Sequence, residues 1–138
     1  MNRYGIEDIT LGMTESFETE ITPDMLEKFR DITGDINPLH NDEDYALQRG
    51  YSGRVVYGML AASLYSTLAG VYLPGERCLL HEVNTKFKKP VFIGDTLTVS
   101  GTVKELNAEF NRITIDARIT NQNGTVVNRA TINAGIID

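Results

Sequence analysis

Asp35 and His40 stand five residues apart in the segment TGDINPLHND, residues 33–42. A carboxylate and an imidazole that titrates near neutrality can share a water, take a proton from it and return a proton to a nearby carbon. Such transfer needs both groups held still. Pro38 fixes its own φ and drives Asn37 towards extended geometry, while an asparagine can bond its own backbone and lock a turn. The segment therefore reads as a stiffened loop. Taken singly, Asp35 is most simply a turn residue, and His40, one of two histidines in the chain, a satisfied structural one. The pairing carries the information. The second histidine, His81, reads as structural.

Chemistry beside a carbonyl also needs a place for developing negative charge. In VVYGML, Gly58 falls where an apolar helix begins. A helix start presents unpaired backbone N–H groups and the positive end of the dipole, and glycine admits a close approach. Together the three residues point to proton exchange at the α carbon of a carbonyl compound, coupled to gain or loss of water at the β carbon. Two other chemistries fit poorly. Asp35, Asn37 and Asp42 lack the glycine of a calcium loop, and Pro38 interrupts the spacing. Ser63 and Ser66 lie inside a helix and outside any G-x-S-x-G elbow, so they read as small packing residues.

The elements that must position these groups are legible from patterning. Residues 22–34 carry helix signals: Thr22 as cap, Pro23 in the first turn, Met25, Leu26, Phe29 and Ile32 at helical spacing, and Gly34 as stop. A short helix follows from about Glu43 to Arg49, capped by Asn41 or Asp42 and stopped by Gly50. Residues 57–70 are apolar or small on almost every face, which predicts a helix buried on most sides. The second half changes to period two. Val83, Thr85 and Phe87 alternate with polar residues, as do Leu97, Val99, Gly101 and Val103, and then Ile113, Ile115, Ala117 and Ile119. TVVNRATINA is a weaker strand, a further one lies near Met13 to Ile21, and IGDT and NQNG supply turns. One long apolar helix followed by antiparallel strands predicts an α+β domain, a curved sheet wrapped around the helix, with edge pairing to a second copy as a route to a dimer.

Composition sets the outer limits. With 138 residues, 41% hydrophobic and 23% charged, the chain is long enough for one domain with a real core. A net charge of −6 argues against nucleic acid. No run approaches the roughly 18 apolar residues of a membrane span, and the N-terminus lacks the apolar stretch of a signal peptide. The lone Cys78 forms no intrachain disulfide, and no Cys/His cluster suggests zinc. A cytoplasmic location is expected.

Three segments, GDINPLHNDEDYA, YGMLAASLYSTLAG and FKKPVFIGDTL, resemble in order and spacing the MaoC-like dehydratases, and among them the R-specific enoyl-CoA hydratases. The resemblance runs from about residue 8 to the C-terminus. It implies a single hot-dog domain over residues 1–138, a homodimer or dimer of dimers. The implied activity is reversible syn hydration of a trans-2-enoyl thioester of coenzyme A or acyl carrier protein, with no metal or redox cofactor. By position, Asp35 and His40 match the catalytic pair, Asn37 the residue that steadies the loop, Gly58 the backbone donor to the thioester, and Ser66 a serine near the active-site water. The family usually has histidine before the glycine; here Tyr57 stands there, beside the substrate. Lys86, Lys88 and Lys89, with Arg77, are the cations offered to a phosphate or an acidic carrier. A thioesterase and a non-catalytic acyl-thioester binding module are the alternatives.

Overall fold

The structure, a computed structural model, describes residues 1–137. Strand β1 (Thr14–Glu20) leads to helices α1 (Pro23–Thr33), α2 (Pro38–Asn41), α3 (Glu43–Gln48) and α4 (Gly58–Thr67), then to β2 (Cys78–Phe87), β3 (Thr96–Asn107), β4 (Arg112–Thr120) and β5 (Val126–Ile136). The strands form one curved antiparallel sheet in the order β1-β3-β4-β5-β2. Period two sends the apolar residues to one face. Val103, Ile115, Ile132 and Val83 line up across β3, β4, β5 and β2 as one core row.

Helix α4 lies on that face and continues as a five-residue π turn, Leu68–Tyr72. Ala61, Tyr65, Leu68 and Ala69 are buried. Gly101 makes the contact close: a Cβ there would stand 2.9 Å from Leu68 Cδ2 and 2.7 Å from Ile115 Cγ2. No helix of the described residues is long and apolar enough to cross a membrane.

Three expectations are corrected. Ile32, seven residues beyond Met25 on the same helical stripe, is 82% exposed; the stripe is covered at its start and runs off the core at its end. Helix α4 is not buried on most sides, for Met59, Ser63 and Ser66 are exposed. Small, apolar composition cannot tell a face packed on the sheet from one that borders an open cavity. The loop carrying His40 is in part helical. Asn37 Oδ1 accepts from Leu39 N–H at 2.9 Å and Pro38 takes the first position, a cap-and-proline start inside what read as a turn.

Candidate active site

A cavity of about 820 Å³ opens between the start of α4, the end of α1 and the core face of β2. Asp35, His40, Tyr57, Gly58 and Ser66 all border it, so five of the six site residues expected from sequence come together. The sixth, Asn37, caps α2 and does not line the wall. Phe29, Met59, Ala62, Leu80, Val83 and Phe87 make most of the wall apolar, suited to a hydrocarbon chain.

Each chemical group is held by the backbone. The imidazole Nδ1 of His40 is 2.7 Å from the Val55 carbonyl. A carbonyl only accepts, so Nδ1 carries the hydrogen and the neutral ring presents Nε2 as its acceptor. Asp35 Oδ1 accepts from Asn37 N–H at 3.0 Å, closing an Asx turn. Among the described residues the two groups are fixed separately, and the imidazole is oriented by Val55, not by Asp35. At Gly58 the helix begins without a side-chain cap, and Leu60 and Ala61 N–H turn back to the Tyr57 carbonyl. A Cβ at Gly58 would come within 2.9 Å of the Phe87 ring.

Tyr57 is 2% exposed and belongs to the scaffold. Its O–H donates to the Asp35 carbonyl at 2.6 Å, and Asn41 Nδ2 donates to its oxygen at 3.0 Å. Its ring packs between Phe29 and His40 at centroid distances of 4.8 and 4.3 Å. Arg54 stands out in sequence only as a charge in the loop before α4, with no role. Its Nε donates to the His40 carbonyl at 2.7 Å, and its guanidinium pairs with Glu27 at 3.2 Å, tying α2 to α1. Glu27 also pairs with Arg30, which reaches Asn41 Oδ1. The signal was an arginine four residues before a helix start, invisible without knowing that Glu27 lies opposite.

The cations divide. Arg77 precedes β2, where it lies with Glu7 beside Gly5, and the three lysines lie at or beyond the other end of the ten-residue strand. They cannot form one patch. Burial pushes the Tyr65 phenol well above its ordinary value, against the pull of Arg129 and with some help from Asp116; the buried hydroxyl stays a donor. His81 is exposed, and its ring lies over Gly135 beside the β2 bulge.

The sheet, the helix laid on it and the cavity at the helix start define a hot-dog domain of the dehydratase type. The chain belongs to the MaoC-like dehydratase family: the MaoC like domain matches residues 10–125. It is 36% identical over 106 residues to a 3-hydroxybutyryl-CoA dehydratase of Methylorubrum extorquens, covering 77% of this chain and 68% of that one. It is 37% identical over 108 residues to an (R)-specific enoyl-CoA hydratase of Rhodospirillum rubrum, covering 78% and 75%. The solved (R)-hydratase of Aeromonas caviae involved in PHA biosynthesis superposes with a TM-score of 0.90 at 28% identity, covering 94% of this chain and 98% of that one.

Proposed function

We propose that the protein, as one domain over residues 1–138, hydrates a trans-2-enoyl thioester of coenzyme A or acyl carrier protein to the (R)-3-hydroxyacyl thioester, and runs the reverse dehydration. The observation that carries this reading is the 2.7 Å contact of His40 Nδ1 with the Val55 carbonyl, which commits Nδ1–H and leaves Nε2 to act on a ligand in a cavity shared with Asp35 and Gly58. The acyl chain lies along the apolar wall and the thioester oxygen meets the Gly58 N–H. One water sits between Asp35 and His40. His40 Nε2 takes a proton from it as its oxygen adds to C3, and the electrons move through C2 to the thioester oxygen. The same proton returns to C2 on the same face, so atoms balance and no cofactor is required. Asp35 accepts the other O–H and aims the water. Asn37 steadies the segment, Ser66 borders the water's side of the cavity, and Tyr57 holds Asp35 in place.

The working unit is a homodimer. Strand β2 ends the sheet, and Leu79, Leu80, Phe87 and Met59 are large exposed apolar residues on it and on the adjoining face of α4. Leu79→Glu with Leu80→Glu is expected to halve the mass seen in sedimentation.

The test of function follows enoyl absorbance with crotonyl-CoA and longer trans-2-enoyl-CoAs, beside Asp35→Asn and His40→Ala. Loss of absorbance without free thiol, reduced about 10²–10⁴-fold in both variants, is expected. Free thiol would replace this reading with a thioesterase. Ligand binding without turnover would make the protein an acyl-thioester binding module.

A further inference from the structure

Asn41 ends a helix that cannot hold itself. Helix α2 is one turn, Pro38–Asn41, and the ordering cost of a single turn exceeds what its few hydrogen bonds offset. Asp42, not Asn41, caps the helix that follows, accepting from Tyr45 N–H at 3.0 Å. The Asn41 carboxamide is left for other partners. Its nitrogen faces only oxygens: Nδ2 donates to the Asn37 carbonyl at 2.9 Å and to the Tyr57 hydroxyl at 3.0 Å, with the Asp35 carbonyl at 3.4 Å. Its Oδ1 accepts from the Arg30 guanidinium at 3.4 Å. These partners fix the orientation of the amide, since a flipped group would set Oδ1 against two carbonyls and Nδ2 against a cation. No other side chain of this size offers two hydrogens on one side and an acceptor on the other.

The two sides of the amide lead to the two groups of the acid–base pair. On the nitrogen side Tyr57 passes the contact on, its O–H donating to the Asp35 carbonyl at 2.6 Å. A hydroxyl that accepts one hydrogen bond donates the next more strongly. On the oxygen side Arg30 pairs with Glu27, Glu27 pairs with Arg54, and Arg54 Nε donates to the His40 carbonyl at 2.7 Å. Glu27 and Arg30 stand three residues apart on α1, so α2 is fastened to α1 at two successive residues, His40 and Asn41. The Asp35 carboxylate and the His40 imidazole are themselves held by different backbone groups, Asn37 N–H and the Val55 carbonyl. Their separation therefore depends on how the two segments are joined, and Asn41 stands at the joint.

We propose that Asn41 is a positioning residue for the hydration, and that its carboxamide sets the separation of the Asp35 carboxylate and the His40 imidazole. The inference rests on the hydratase reading above. A water shared by two groups reacts only when both reach it, so a loosened joint slows the chemical step. Asn41 does not line the cavity, so its effect passes through the two groups that do, and the apolar wall that takes the acyl chain is untouched. The loss therefore falls on kcat and not on KM.

The test is a cycle of Asn41→Ala, Tyr57→Phe and the double variant, read as kcat and KM for crotonyl-CoA, with circular dichroism on each protein. Asn41→Ala is expected to lower kcat about tenfold with KM within about twofold. Asn41 and Tyr57 are links of one relay, so the double variant is expected within about threefold of the slower single one, whereas independent losses would multiply to about a hundredfold. Asn41→Asp has the same size, keeps an acceptor for Arg30 and removes both amide hydrogens. It is expected to lose kcat as Asn41→Ala does, and it carries the test should the alanine variant fold poorly. A native kcat in either Asn41 variant, losses that multiply in the double variant, or a rise in KM alone overturns the positioning role, while turnover by the wild-type protein keeps the hydratase reading. A wild-type protein that hydrates no enoyl thioester overturns both.

Discussion

Replacing Tyr57 by phenylalanine isolates the positioning of the acid–base segment from its chemistry. The ring is buried against Phe29 and His40 and stays; only the hydroxyl leaves. Two hydrogen bonds go with it, the 2.6 Å bond to the Asp35 carbonyl and the 3.0 Å bond from Asn41 Nδ2. Asn41 Nδ2 keeps the Asn37 carbonyl at 2.9 Å, and Asp35 is exposed, so water reaches its carbonyl. Neither group is stranded, and the loss stays near the ordinary net value, about 1–2 kcal/mol for the pair. For a domain of this size that lowers Tm by roughly 3–8 °C, read at fixed protein concentration because assembly shifts Tm. The kinetic effect is larger in proportion. Misplacing a reacting group by 1 Å costs on the order of 10²-fold, and the remaining ties through Asn37 and Arg54 limit the drift, so kcat should fall about tenfold with KM within about twofold. Stopped-flow hydration of crotonyl-CoA, with a melting curve on the same preparation, reads both. A Tm drop with wild-type kcat would refute the positioning role, and a change in KM alone would make Tyr57 a substrate contact.

Arg54→Ala should cost about 1–3 kcal/mol and lower kcat more than KM, because the guanidinium is the charged donor to the His40 carbonyl; Arg54→Lys cannot make the contacts to His40 and Glu27 together, so denaturant melts and kcat should place it near alanine. Gly58→Ala puts a methyl within 2.9 Å of Phe87. The neighbour is a side-chain ring and not backbone, so a small shift of Phe87 accommodates the methyl; circular dichroism should stay native while kcat/KM falls by up to about 10²–10³ as the N–H is screened from the thioester. Stability should decline above pH 10 through Tyr65. Burial raises its folded pKa over the unfolded 10.0, so its contribution is whole below pH 10 and is lost as pH climbs towards the folded value, the unfolded chain ionising first. Chemical denaturation between pH 8 and 11.5 should show this slope flattened in Tyr65→Phe.

Much of the fold was legible because it repeats. Alternation in β3 and β4 placed Leu97, Val99, Ile113 and Ile115 on the core face, where all four are buried. Local caps did the same for α1, with Thr22 accepting from Met25 N–H and Gly34 at φ 72°, and for α3, where Asp42 accepts from Tyr45 N–H. The Asp35, His40 and Gly58 constellation came from composition at short spacing. Ile32 and the outer face of α4 misled for a shared reason. A periodic pattern identifies an apolar stripe, but not whether this chain, a cavity or a second copy covers it.

What escaped the sequence lies at long range. Tyr57 reaches Asp35 across 22 residues, Arg54 reaches Glu27 across 27, and Tyr65 reaches Asn128 across 63. Each joins two residues that look ordinary in their own windows: a tyrosine before a glycine, an arginine in a loop, an asparagine in the weakest strand. Their contributions depend on partners that only the folded chain supplies. The groups that we propose react are therefore recognisable by type, whereas the groups that hold them are recognisable only by where their polar atoms end. Asn128 makes the distinction plain. In sequence it weakens a strand; in the fold its oxygen accepts from Tyr65 and Thr85, partners that its own window does not show.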